Sequence, residues 1–329
     1  MKRSMLFILI MTMALAGCAS ASPAAPKELT KIRLPMGYIA NVQFAPFYVA
    51  VDRGYFKEEG IDLEFDYRFE TDGMKLVGAG ELPFAVVSGE QVPLARAQGL
   101  PVVYVMEWWQ KFPVVVVSFA DKNIKTPADL VGKSVGLPGF FGASYIGWRG
   151  LLYKAGVKEA DIKTQDIGFT QVAALQQGKV DAAVVYINNE PVQLRAAGLN
   201  VDVIAVSDSV SMVANGIVTN EKTIKEQPEL VRGFVRALMR GVKDAMADPE
   251  LAFNTSKKFV EGLGSDPKND AIQQQVLAET IKLWQGGTLG KSDPAAWDTT
   301  QDVLLSMGLL NEKIDDAKLF TNQFVDEAK

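Results

Sequence analysis

The chain has 329 residues, with 34 basic and 39 acidic side chains, a formal net charge of −5, no histidine and one cysteine. The missing histidine excludes Ser-His-Asp and Cys-His nucleophilic arrangements and every His-ligated zinc or iron site. A lone cysteine excludes an internal disulfide or a CxxC redox pair, so no metal or cofactor is expected. The acidic balance argues against nucleic acid, which wants a basic footprint. At 48% hydrophobic and 22% charged the composition is globular, and the length allows two cores of ordinary size.

Lys2 and Arg3 precede an apolar run from Met5 to Ala14, broken only by Thr12, and then Leu15-Ala16-Gly17-Cys18. The run is short for a bilayer span and has the three-part layout of a signal peptide. Small residues before a cysteine resemble a bacterial lipobox. That resemblance implies a signal peptide over residues 1–17, cleavage before Cys18, a lipid on the Cys18 thiol and a further acyl chain on its amine, which together anchor a protein stably to the cell membrane. The competing readings are an ordinary signal peptide cut nearby or a free buried thiol. Residues 18–27 include ASASPAAP and read as a flexible tether. The folded part is therefore expected from Glu28 onward, outside the cytoplasm.

Short β-branched runs then alternate with helical stretches. The candidate strands are Lys31–Pro35, Asp62–Tyr67, Phe84–Val87, Val102–Met106, Val114–Phe119, Ser134–Leu137, Lys163–Ile167, Ala182–Tyr186, Val203–Val206 and Gly216–Thr219. Val114 to Val117 is strongly apolar but short, and fits a buried strand. Pro46 suits the first turn of a helix through Asp52, with Gly54 as its left-handed stop, and Ala143–Lys154 is closed by Gly156. The alternation predicts an α/β fold with mainly parallel sheets. After Asn220 the pattern is nearly all helical. Residues 228–247 carry one apolar stripe, and Arg232, Arg236 and Arg240 lie off it as solvated charges.

Two stretches echo one another. GELPFAVV at 80–87 leads into Ser88-Gly89-Glu90, a helix with Leu94-Ala95-Arg96-Ala97, and Gly99-Leu100; GKVDAAVV at 178–185 leads into Tyr186-Ile187-Asn188-Asn189-Glu190, then Leu194-Arg195-Ala196-Ala197 and Gly198-Leu199. Chance similarity of two βα units is one reading; two similar lobes, each with its own sheet, is the stronger. Ligands of open α/β sheets bind beyond the carboxyl ends of strands, so Ser88–Gln91 and Tyr186–Glu190 should be facing rims of a cleft.

Several of these segments resemble bacterial ABC-importer substrate-binding proteins of the branch that takes thiamine pyrimidine precursors, alkanesulfonates, nitrate and riboflavin. The residues that carry the resemblance are Gly37-Tyr38-Ile39-Ala40-Asn41-Val42-Gln43, the run from Phe47 to Leu63 with its Gly54-Tyr55-Phe56 and Gly60-Ile61-Asp62-Leu63, Thr126 to Gly136, and Gly178-Lys179-Val180-Asp181-Ala182. The resemblance implies a two-lobed periplasmic-binding-protein fold, with two doubly wound sheets linked by hinge strands and additional C-terminal helices. Residues 28–119 with 215–329 would form the first lobe and 120–214 the second, with Val114–Phe119 and Ala214–Thr219 crossing between them. It also implies a permease and, through it, an ATPase subunit as partners.

Aromatic and polar residues gather where loops should form the rim. The candidate ligand residues are Tyr38, Asn41, Gln43, Ser88, Glu90, Trp109, Phe140, Tyr145, Tyr186, Asn188 and Glu190. Of Trp108 and Trp109, one should be core and the other rim; Phe140 and Phe141 are alternatives for the pocket wall; Glu90 and Glu190 either cap the following helices or touch ligand. Rings and a few polar groups suit a planar heterocycle. The Gly136–Gly142 loop could instead offer backbone donors to an anion, but its two phenylalanines point away from a small one.

Among heterocycles, the pyrimidine binders resembled here carry Trp at the position of Tyr38 and a polar stretch after it. Ile39-Ala40-Asn41-Val42-Gln43-Phe44 is less polar, and the chain looks most like the riboflavin-binding lipoproteins of this branch. A thiamine pyrimidine precursor is the alternative, with an alkanesulfonate behind it. Eukaryotic enzymes of this fold make the thiamine pyrimidine and draw on a histidine of their own. This chain has none, so a binder and not an enzyme is expected. An adhesive surface module is disfavoured by the two-lobe echo.

Overall fold

Among the described residues, ten strands form where β-branched residues cluster: β1 (Thr30–Pro35), β2 (Ile61–Asp66), β3 (Ala85–Ser88), β4 (Val102–Glu107), β5 (Val114–Phe119), β6 (Ser134–Leu137), β7 (Lys163–Asp166), β8 (Ala182–Tyr186), β9 (Val201–Ala205) and β10 (Asn215–Asn220). They are seen in a computed structural model that describes residues 29–328; Cys18 and the tether lie outside the described residues. The helices between them are α1 (Ala45–Asp52), α2 (Tyr55–Glu58), α3 (Glu70–Gly78), α4 (Gln91–Ala97), α5 (Gly142–Ala155), α6 (Gln171–Gln176) and α7 (Glu190–Ala196). After β10 come α8 (Glu221–Glu226), α9 (Pro228–Ala247), α10 (Pro249–Ser256), α11 (Pro267–Trp284), α12 (Pro294–Ser306), α13 (Asp316–Leu319) and α14 (Gln323–Glu327).

The strands make three sheets. β1 and β2 form a parallel pair, β3-β10-β4 an antiparallel sheet, and β7-β6-β8-β5-β9 a mixed one. The expectation of mainly parallel sheets is therefore corrected: β10 runs against both β3 and β4, and β5 against both β8 and β9. The cause is topological. Strands of the local βα units point their carboxyl ends at the cleft, whereas β5 and β10 arrive from the opposite lobe and start there.

The crossings move for the same reason. Val114–Phe119, expected to pass between the lobes, is an interior strand of the second sheet. The segments that link the two larger sheets are 108–113, after β4, and the stretch before β10, whose Val206, Val210 and Met212 still pack in the core of the five-stranded sheet. The two run together: the Trp109 amide donates to the Asn215 carbonyl at 3.1 Å, and the Ala214 amide donates to Glu107 Oε1 at 2.9 Å.

The larger apolar core lies where α9 packs on α1. Gly241 permits it, because a Cβ there would stand 2.2 Å from the Pro46 carbonyl oxygen. The arginines of α9 are not merely solvated as expected. Arg236 forks onto Glu59 at 2.7 and 3.0 Å, and Arg240 lies 3.6 Å over the Tyr55 ring. Helix α12 packs on both lobes. Its Trp297 meets Tyr104 of β4 and stacks on Phe320, whereas its Val303 and Leu304 belong to the core built on β6, β8 and α5.

Candidate functional site

The carboxyl ends of β1, β2, β6, β7 and β8, with the start of β10, surround one cavity between the lobes. The cavity and its open mouth together hold about 840 Å³ of empty space. Its place follows from the chain direction of the strands, since loops leaving carboxyl ends converge on the cleft.

Aromatic rings make most of the wall. Trp109 and Tyr186 meet edge to face at 5.7 Å on the floor, and Trp108 stands beside Trp109 with its other side on Phe44, Phe47 and Trp284. Trp108 and Trp109 are both buried, and both line the cavity; the division into one core and one rim residue does not hold. The indole Nε1 of each and Asn215 Oδ1 are buried without a hydrogen-bond partner, which leaves donors and an acceptor at the floor. At the mouth, Phe69, Phe141 and Phe169 are 42%, 43% and 39% exposed. They nevertheless touch: Tyr38 meets Phe169 at 4.8 Å, and Phe69 meets Phe141 at 5.3 Å and Phe169 at 5.6 Å. Each of these contacts joins one lobe to the other, so the lobes are closed over the cavity. Asn189 Nδ2 reaches the Tyr38 hydroxyl at 3.5 Å across the same gap.

Among the described lining residues, the charged side chains are Glu70 and Glu190, and no Lys or Arg lines the cavity. Glu190 accepts the Tyr186 amide at 3.2 Å and Asn189 Nδ2 at 3.2 Å, and burial pushes its carboxyl up to about 7. The Tyr38 hydroxyl is raised by burial and then by the nearby Glu190 charge. Glu70 starts α3. Its Oε2 lies 2.8 Å from Ser88 Oγ, which also contacts Glu90 Oε1 at 2.5 Å, and Gln91 Nε2 donates to that same Glu90 oxygen at 2.9 Å. Burial, then the Glu90 charge, pushes Glu70 up; burial pushes Glu90 up as well. Among the described residues no group of three or more Cys, Asp or Glu is placed to hold a metal ion.

Of the residues expected from sequence, Tyr38, Gln43, Trp109, Tyr186 and Glu190 line the cavity. The others do not. Asn41 turns onto its own chain and accepts the Gln43 amide at 3.0 Å, capping a short 3-10 turn. Ser88 and Glu90 stand behind Glu70. Asn188 points away and donates to Thr280 Oγ1 of α11 at 2.8 Å. Phe140 and Tyr145 meet each other at 5.7 Å over a neighbouring depression between α3, α4 and α5. The backbone explains the split between the two phenylalanines. Phe141 is extended (φ −154°, ψ 171°), so successive side chains alternate and only Phe141 faces the cavity.

Sequence reasoning missed Phe69, Glu70, Phe169, Gln171 and Asn215, all of which line the cavity. The first four directly follow β2 and β7. Applying the carboxyl-end rule to every strand, and not only to the echoed pair, would have reached them.

The family described as NMT1/THI5 like is matched over residues 41–252. The riboflavin-binding protein RibY of Chloroflexus aurantiacus is 41% identical over 322 residues, covering 95% of this chain and 91% of that protein. The formylaminopyrimidine-binding protein of Halalkalibacterium halodurans is 27% identical, covering 88% and 89%. A 4-amino-5-hydroxymethyl-2-methylpyrimidine phosphate synthase of Legionella pneumophila is 26% identical, covering 90% and 92%. Among solved structures, the alkanesulfonate-binding protein SsuA of Xanthomonas axonopodis pv. citri, bound to MOPS, superposes with a TM-score of 0.70 at 14% identity, covering 90% of this chain and 99% of that one. The last likeness shows the two-lobed fold.

Proposed function

The chain belongs to the NMT1/THI5-like family, and on that premise we propose that it is the solute-binding protein of an ABC importer that captures riboflavin between its lobes. The observation that carries the reading is the cavity itself: rings from both lobes with two carboxyls and no cation. A neutral isoalloxazine wants flat apolar faces and hydrogen bonds at its carbonyl and nitrogen edges. A sulfonate or nitrate would want cations or a clear set of backbone donors. The 41% identity to a riboflavin-binding protein supports the same choice.

The protein binds its ligand without turning it over. Some relatives carry synthase names, but this chain has no histidine to supply and holds its carboxyls in hydrogen bonds. Export by the N-terminal signal, a lipid on Cys18, and delivery to a permease driven by an ATPase subunit complete the reading. No helix among the described residues is long and apolar enough to cross a membrane. Cys18→Ser should abolish lipid labelling of the exported protein and leave ligand binding intact; unchanged labelling would sink the anchor.

The direct test is a fluorescence titration of riboflavin with protein from residue 28 onward. Quenching with one flavin per chain is the expected result. Tight binding of formylaminopyrimidine without flavin quenching would favour the second reading, which the 27% relative motivates. Binding of a sulfonate alone would overturn the aromatic-site argument.

A further inference from the structure

The chain Glu70–Ser88–Glu90 contains one proton more than its serine can supply. A hydroxyl donates one hydrogen bond. Ser88 Oγ is within hydrogen-bond distance of both carboxyls, so one contact must use a proton held on a carboxyl oxygen. Each carboxyl also receives an N–H: Gln91 Nε2 donates to Glu90 Oε1 at 2.9 Å, and the Ser88 amide reaches Glu70 Oε2 only at 3.4 Å. The shorter N–H contact makes Glu90 the better-satisfied anion, so the shared proton is assigned to Glu70 Oε2, which donates to Ser88 Oγ. Two ionised carboxylates around one hydroxyl, in a site without cations, would be strongly unfavourable.

We propose that Glu70, through the proton it holds on Ser88, sets the charge of the site: it selects an uncharged planar heterocycle over the phosphate ester of the same ligand, and it makes capture proton-linked. This rests on the riboflavin reading. As an acid, Glu70 offers the ligand edge an uncharged oxygen that accepts an N–H. Ionised, it places a second buried charge on the wall shared with Glu190. A phosphate would then meet carboxyls and no Lys or Arg. Among the described residues, the other ionisable side chains that interact with both members of the pair are acidic too: Tyr104 of β4 and Tyr186 of β8. From the second lobe the amino end of α5 approaches, with a Cβ on Gly142 falling 4.0 Å from Glu70 Oε2. A helix amino end favours an anion, but only by about 0.3–1 kcal/mol where exposed, which is small against burial. Burial and Glu90 push the Glu70 carboxyl up to about 8.

Two measurements test this. In ligand-free protein carrying 13C at the glutamate carboxyls, NMR should show a carboxyl that titrates far above the ordinary range and is absent from Glu70→Gln. In Glu90→Gln the Glu70 signal should titrate lower. Fluorescence titrations between pH 6 and pH 9 should show riboflavin affinity falling about tenfold, as the acid form becomes the minor one. Glu70→Gln should reduce that slope to the part left by Glu190, whose carboxyl sits at about 7, and riboflavin 5′-phosphate should bind more weakly than riboflavin by a margin that widens with pH and reaches at least about tenfold at pH 9. A flat wild-type profile with an ordinary Glu70 titration, while riboflavin still binds, overturns the proton chain alone. A high Glu70 titration with no riboflavin binding overturns the selectivity and the reading on which it rests.

Discussion

Phe69 from the β2–α3 loop and Phe169 from the β7–α6 loop lie with ring centroids 5.6 Å apart and planes inclined by 32°, one ring from each lobe. Such a contact exists only when the cleft is shut. A ring pair is worth about 0.5–1.5 kcal/mol beyond its area, so the pair contributes to closure whatever the ligand does. Phe69→Ala should raise the ligand dissociation rate about two- to tenfold and change the association rate much less. Stopped-flow quenching separates the two. A slower association at unchanged dissociation would show that Phe69 guides entry and does not hold the lobes.

Trp109 and Trp284 separate ligand contact from support. Trp109 lines the cavity; Trp284, whose buried indole N–H is equally without a partner, lies behind the wall, stacked on Trp108 at 6.0 Å. Trp109→Phe should weaken binding about two- to tenfold. Trp284→Phe should lower the melting temperature and leave the dissociation constant near that of the parent. Equal losses of affinity in both would mean that the wall acts as one packed unit.

Gly241→Ala tests the contact of α9 with α1. Its new methyl would meet the Pro46 carbonyl oxygen at 2.2 Å, a backbone atom that cannot step aside. Overpacking of this kind costs about 1–3 kcal/mol. The methyl of Gly233→Ala on the same helix would stand 3.0 Å from Glu59 Cβ, a much milder overlap, and should cost less. Urea unfolding of the two variants gives the comparison; equal midpoints would contradict it.

Stability should fall as pH rises from about 4.5 to about 8. Burial, foremost, holds the Glu70 carboxyl at about 8 and those of Glu107 and Glu190 at about 7, against 4.5 for the free group. In that window the folded chain holds protons that the unfolded chain has released, so deprotonation favours unfolding. A tenfold change in a group's proton affinity on folding corresponds to about 1.4 kcal/mol. Asp181 acts oppositely at low pH. The Ser134 amide, first among its partners, lowers it to about 2 from 3.8, and its contribution is lost as pH falls through that range. Melting temperatures should therefore be several degrees higher at pH 5 than at pH 8, and a flat profile would place the three glutamates outside the stability balance.

The strands were legible because a buried strand is a local pattern: Val114 to Val117 can hardly be anything else. Which sheet that strand joins was not legible, since pairing is decided by where the chain has just come from. The site divided along similar lines. Tyr186 and Glu190 were found because the echo with 80–100 marked the end of β8. Asn188 and Asn189 could not be told apart, although one turns to Thr280 and the other to Tyr38; a one-residue difference in a turn reverses a side chain. Glu70 was missed because its run, Arg68-Phe69-Glu70-Thr71-Asp72, has the composition of any solvated helix start. Its partner Ser88 arrives from a different strand, and that meeting is written only in the fold.

Helix α12 changes how the two lobes can move. A pair of linking segments alone would let them swing like a door on two pins. With Trp297 seated against the first lobe and Val303 beside Gly150 of the second, where a Cβ would come within 3.2 Å, a third point of attachment is fixed. Opening then has two routes: rotation about a line that runs close to α12, or detachment of Val303 and Leu304 with about 25 cal/mol lost for each Å² of apolar surface wetted. Rotation keeps that surface dry. The jaws should therefore part widest at the rim of Phe69, Phe141 and Phe169 and least beside α12, so that ligand enters from one side of the cleft only.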